Sequence, residues 1–142
     1  PAYEPYIVEK DGLCSHPVRS GQSPDIVVIS VAGFCELDHF APMSDWLHFL
    51  AKRGLGNIRA EIYRPAAEFM SAPPLKAKTD EILAATARAG LEFVRDGRIQ
   101  DETMKIIQQD MLPDKETFLT EANKYWDWEI ERWKKRREKG QA

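Results

Sequence analysis

Only two cysteines, Cys14 and Cys35, occur in 142 residues. A disulfide framework of several bridges is therefore excluded, and the sequence fits a reducing compartment. The three histidines are equally sparse. Cys14 and His16 stand two apart and Cys35 and His39 four apart, spacings that match no known zinc module, so no metal site is expected. No apolar run approaches the roughly 18 residues needed to cross a bilayer, and "PAYEPYIVEKDG" has neither a basic nor an apolar leader region. The expectation is a cytoplasmic protein with no membrane partner. Excess positive charge is missing too: 20 Lys and Arg face 23 Asp and Glu, a net charge of -3. Nucleic-acid binding draws most of its affinity from basic surface, so none is expected. The one basic cluster, "RWKKRREKG" at 132 to 140, ends a predicted helix, where cations complement the dipole and form a solvated tail. No Gly-x-Ser-x-Gly elbow or other nucleophile and base constellation is present, and no catalytic residue is assigned. Repeats, low-complexity tracts and interdomain linkers are also lacking, which leaves one domain's length of chain.

What is present is a βαβ pattern. "IVVISV", 26 to 31, is an unbroken apolar run rich in β-branching, the signature of a strand buried on both faces of a parallel sheet. Phe40, Met43, Trp46, Leu47, Leu50 and Ala51 then recur at helical spacing, with Pro42 tolerable in the first turn. Glu36 and Asp38 fall near that helix start, where carboxylates favour the dipole. "IRAEIY", 58 to 63, alternates as a second strand, so a right-handed crossover is expected.

The second half is helical. In "KAKTDEILAATARAGLEFVRDG" the residues Ile82, Leu83, Thr86, Ala87, Gly90, Leu91 and Val94 form one apolar stripe suited to covering a sheet, with a stop near Gly97. "DETMKIIQQDML" follows, with Asp101 as the expected N-cap. In "DKETFLTEANKYWDWEIERWKKRREK", Phe118, Leu119, Ala122, Trp126, Ile130 and Trp133 share a face and are expected to dock. The domain plan is thus an N-terminal loop segment over 1–25, strand-helix-strand-helix over 26–97 and a helical extension over 98–142. Only two strands are convincing, with "YIVE" at 6 to 9 a short extended piece. A buried parallel strand needs neighbours on both edges, so the sheet is expected to be incomplete.

The stretch "DIVVISVAGFCELDHFAPMSDWLHFLAKRGLGNIRAEIYRPAAEFM" resembles the C-terminal half of flavodoxin-like NAD(P)H-dependent FMN oxidoreductases. In that family the fourth strand ends in a Ser/Thr-x-x-Gly-Phe turn followed by an acidic residue and His-Phe. "RPAAE" and "ANKYWD" are similar as well, and the likeness runs from "EPYIVEKDG" onward. The phosphate loop that opens these enzymes, of the Ser-Pro-Arg and Gly-Asn-Thr type, has no counterpart here. The resemblance therefore implies half of a doubly wound α/β domain, with FMN as cofactor and NAD(P)H as hydride donor only when an N-terminal half is supplied. Its implied partners are that half or a homo-oligomer, and a small-molecule electron acceptor.

Ligands of open α/β sheets sit beyond the carboxyl ends of the strands. The resemblance puts Ser30, Ala32, Gly33 and Phe34 at the flavin, where small residues let backbone approach the ring and donate amides to its edge. The plainer reading is a strand-to-helix turn in which Gly33 supplies positive φ and Phe34 packs as core. A non-catalytic assembly or dimerisation module is the alternative function. Trp126, Trp128 and Trp133 read most simply as docking area plus one partly exposed ring, and the oligomers of the resembled family imply an interface there.

Overall fold

The computed structural model describes residues 3–19, 23–54, 56–138 and 140. It divides into two compact units, Pro1–Gln109 and Asp110–Ala142. The centre of the first unit is the expected βαβ: strands β3 (Asp25–Val31) and β4 (Asn57–Arg64) joined through helix α1 (Ala41–Lys52). The strands pair in parallel, with an irregularity between Ile26 and Val27. The register then runs from Val27 opposite Ala60 to Val31 opposite Arg64. Because side chains alternate along a strand, Ile29 shares a face with Ile62, while Val28 and Ser30 share the other with Glu61 and Tyr63.

Ile62 enters a core with Ala85, Ala89 and Ile107, against which Ile99, Met104 and Ile106 pack. These residues come from β4, from helix α2 (Lys76–Asp96) and from the short helix α3 (Asp101–Ile107). The burial reaches β4 and stops there. Ile62 is 5% exposed, whereas Ile29 opposite it is 66% exposed and Val31 65%. The expectation of a strand buried on both faces is therefore corrected: β3 has one hydrogen-bonded neighbour among the described residues, and its Ile29 face lies open.

Helix α2 also differs from its predicted stripe. Its buried residues are Thr79, Ile82, Ala85, Ala89 and Glu92, while Leu83, Leu91 and Val94 are exposed. Small Ala85 and Ala89 let the helix come close to Ile62 and Ile107, so the contact face follows residue size and not hydropathy alone. The helix ends as expected at Gly97, whose φ of 70° is the left-handed cap, with its amide donating to the Phe93 carbonyl at 2.9 Å. Asp101 is not the N-cap of α3; Gln100 is, without a side-chain bond of its own. A carboxylate from α2 serves instead: Glu92 accepts from the Gln100 amide at 2.9 Å and from the Thr103 hydroxyl at 2.7 Å. The hydrogen bond from the Gln100 amide, joined by the one from Thr103, holds Glu92 below the usual carboxylate range despite burial.

The N-terminal segment, expected as loop, contains a hairpin of β1 (Val8–Lys10) and β2 (Leu13–Ser15). Asp11 and Gly12 both have positive φ, 53° and 74°, as a two-residue turn between right-twisted strands requires. The part of that loop over 20–22 lies outside the described residues. Residues 37–40 form a 3-10 turn before α1, and Glu36 makes no side-chain cap there; its carboxylate lies 3.3 Å from His39 Nε2.

The second unit is built on helix α4 (Lys115–Glu138). The Asp114 carboxylate accepts from the Thr117 amide at 2.7 Å, and this bond lowers its pKa. Phe118 is buried, but Leu119, Trp126, Ile130 and Trp133 are all about half exposed. Within this unit the expected docking face stays about half exposed along most of its length.

Candidate functional site

At the carboxyl ends of the two parallel strands, the turn after β3 is laced to the loop after β4. The Ala32 amide donates to the Arg64 carbonyl at 3.1 Å, the Ala67 amide to the Ala32 carbonyl at 2.9 Å, and the Ala66 amide to the Phe34 carbonyl at 2.7 Å. Ala66 makes this possible by adopting the left-handed region, φ 51° and ψ 35°, while buried. That conformation costs an alanine roughly 1–2 kcal/mol, offset here by the bonds it allows.

The four residues expected at the flavin divide between strand and turn. Ser30 is half-buried on β3, opposite Tyr63. Ala32, half-buried, has its amide committed within the fold, so it does not serve as a donor to a ligand. Gly33 is exposed and does not have positive φ, so the conformational reason anticipated for it does not hold; the left-handed residue at this end is Ala66. A Cβ at Gly33 would stand 3.2 Å from Glu68 Oε1, the far end of an exposed side chain that can move aside. Phe34 is 62% exposed and so not core. Its ring stacks on His39 with centroids 4.8 Å apart and planes 28° from parallel, a flat platform at the mouth of the strands.

"RPAAE" acquires a physical meaning in this setting. Arg64 is buried and donates through Nε to the Pro65 carbonyl at 2.6 Å, and through one terminal nitrogen to the carbonyls of Ile107 at 2.7 Å and Gln109 at 2.6 Å. It holds the β4 loop to the carboxyl end of α3, where orphan carbonyls and the helix dipole both favour a cation. Arg64 positions the turn and is not itself at its exposed rim.

A second polar group was not anticipated. Glu61 accepts at Oε1 from Ser44 at 2.6 Å and Tyr63 at 2.5 Å, while Oε2 lies 2.9 Å from His48 Nε2. Two sequence signals carry it: Ser44 and His48 are four apart on one helix, and Glu61 and Tyr63 two apart on one strand. Serine and histidine both bind the carboxylate and not each other, so the arrangement lacks the serine-to-histidine bond of a nucleophile pair. Burial raises the Glu61 pKa and burial likewise raises that of Tyr63, but for Glu61 the hydrogen bonds from Ser44, Tyr63 and His48 prevail and lower it. A carboxylate with a lowered folded pKa stabilises the protein above its unfolded value, here about 4.5, and that contribution is lost as pH falls through the folded value. Glu61→Gln is expected to cost about 1–2 kcal/mol at neutral pH and to flatten the acid limb of stability against pH. Urea melts of both proteins at several pH values check this; parallel acid limbs would show that Glu61 titrates alike in both states.

Among the described residues, no group of three or more His, Cys, Asp or Glu side chains is arranged to hold a metal ion, and no helix is long and apolar enough to cross a membrane. Comparison with protein-family models, curated proteins and solved structures gives no match. The strand ends carry an exposed aromatic ring, a small residue beside it and a turn fixed to the end of β4 and its loop by three backbone bonds.

Proposed function

We propose that this chain is the C-terminal half of a flavodoxin-like NAD(P)H-dependent FMN oxidoreductase, with the turn after β3 bearing on the flavin ring. The observation that carries the reading is the exposed Phe34 ring at the carboxyl ends of two parallel strands, the place where open α/β sheets bind ligands. Gly33 beside it leaves room for backbone to approach a flat ring. These residues fit the isoalloxazine and not its phosphate, for which the sequence has no glycine-rich loop. When bound, the flavin would accept hydride from the nicotinamide and pass it to a small acceptor; this chain's own residues bind and orient. The half by itself is then inactive, awaiting the complementary strands, and a cytoplasmic location accompanies this reading.

Flavin fluorescence quenching on titration of the purified chain tests it. FMN and riboflavin are expected to bind with similar weak affinity, because no phosphate contact is available, and Phe34→Ala is expected to weaken both by about tenfold. The second reading, a non-catalytic assembly module, is favoured by the open apolar face of β3. A colourless chain that neither flavin titrates selects it.

A further inference from the structure

The helix α4 carries an apolar seam that its own unit leaves about half exposed. Leu119, Trp126, Ile130 and Trp133 recur at spacings that keep them within one narrow stripe of a helix, and they are 50%, 57%, 47% and 50% exposed. One face of Trp133 is covered by Arg137, whose guanidinium carbon lies 4.8 Å from the ring centroid; Arg132 similarly lies 5.2 Å from Trp128.

The charges beside the seam indicate what covers it. Helical spacing places Asp127 and Lys134 on one flank of the seam, where Lys134 also reaches Glu131 of its own helix at 2.8 Å. The pair is symmetric about a point midway between Ile130 and Glu131. Two copies of α4 laid antiparallel about a twofold axis through that point would set Asp127 of each against Lys134 of the other. Trp133 of one copy then falls between Trp126 and Ile130 of its mate, the knob-into-hole relation of a coiled-coil seam. Such a twofold contact is self-complementary, each patch meeting its own image. An anionic membrane surface is a poorer fit, since the helix carries six acidic residues against seven basic ones. We infer that α4 self-associates as an antiparallel pair through the Trp126, Ile130 and Trp133 part of the seam, Leu119 lying beyond the overlap of the two copies. This proposal is independent of the flavin reading.

A single helix pair is smaller than the standard interface of about 1,600 Å², so a micromolar, concentration-dependent dimer is expected in sedimentation velocity of the full chain. Trp133→Glu, at an exposed position that leaves helicity unchanged by circular dichroism, should weaken it about a hundredfold. Asp127→Lys should weaken it about tenfold by facing like charges. The double swap D127K/K134D should restore affinity, a rescue that a merely local effect on the helix would not produce. A monomer at all concentrations overturns the proposal. So does a dimer indifferent to Trp133→Glu, which puts the interface elsewhere, or a double swap without rescue, which rejects the antiparallel register. Sedimentation with vesicles of anionic phospholipid in place of self-association likewise overturns it, in favour of a membrane surface.

Discussion

Replacement of Arg64 by Met is expected to destabilise the chain by about 3–5 kcal/mol and to lower its melting temperature by roughly 10 °C or more. The side chains are similar in length, so the change is chiefly the loss of donors. Three backbone carbonyls, those of Pro65, Ile107 and Gln109, lose the guanidinium that satisfies them in a buried setting. Burying unpaired carbonyls costs more than an exposed ion pair is worth, which puts this residue well ahead of the surface pairs along α4 such as Lys134 with Glu131. Arg64→Lys should fall between, because one ammonium keeps the charge but does not reproduce the planar fork reaching carbonyls on two sides. Chemical denaturation gives the number. A loss below about 1 kcal/mol for the Met variant would mean that water readily replaces the guanidinium at the end of α3.

The strands and helices that follow strong local signals were legible in the sequence. The β-branched run of Ile26 to Val31 forms a strand, the alternation over Ile58 to Tyr63 its parallel neighbour, and Gly97 stops α2. Sequence failed where a partner far along the chain decides the outcome. Asp101 has the right chemistry for an N-cap, but Glu92 one helix earlier reaches the Gln100 amide first. Likewise, Leu91 and Val94 look like core by hydropathy, yet Ala85 and Ala89 permit the closer helix approach and take the contact. Turn chemistry was missed at Asp11-Gly12, where the dipeptide itself is a strong hairpin signal. At the candidate site, the turn's location was legible and its internal wiring was not. Which amide is spent on the neighbouring loop depends on the left-handed Ala66, and nothing local in "RPAAE" announces that conformation.

Burial in this fold is one-sided, and that asymmetry ties the fold to the proposals. Apolar side chains of β4 are covered while their neighbours on β3 are not, although β3 is the more hydrophobic of the two by sequence. A parallel strand with an open face and an open edge is suited to receiving further strands. A strand paired to the free edge of β3 would extend the sheet beside the turn that carries Phe34, whereas covering Ile29 and Val31 needs a layer packed on the face.

Truncation of Ile107 to Ala is expected to cost about 3 kcal/mol, within the range for emptying a well-packed aliphatic site. Ile107 is 1% exposed and sits with Ile62, Ala85 and Ala89, three residues from two other elements that have little freedom to collapse into the space. Its helix has only seven residues, far short of the roughly 12–15 at which an isolated helix becomes marginal. The helix therefore persists through its anchors: Glu92 at its start, Ile107 in the core and Arg64 on the Ile107 carbonyl. Because the last two act on the same residue, their losses should not add. Once Ile107→Ala has loosened α3, the carbonyls that Arg64 serves are free to reach water, and Arg64→Met should then cost less than it does alone. A double-mutant cycle in urea is expected to give a coupling of about 1–2 kcal/mol. Additivity within about 0.5 kcal/mol would show instead that the guanidinium holds the end of α3 whether or not the isoleucine fills the core.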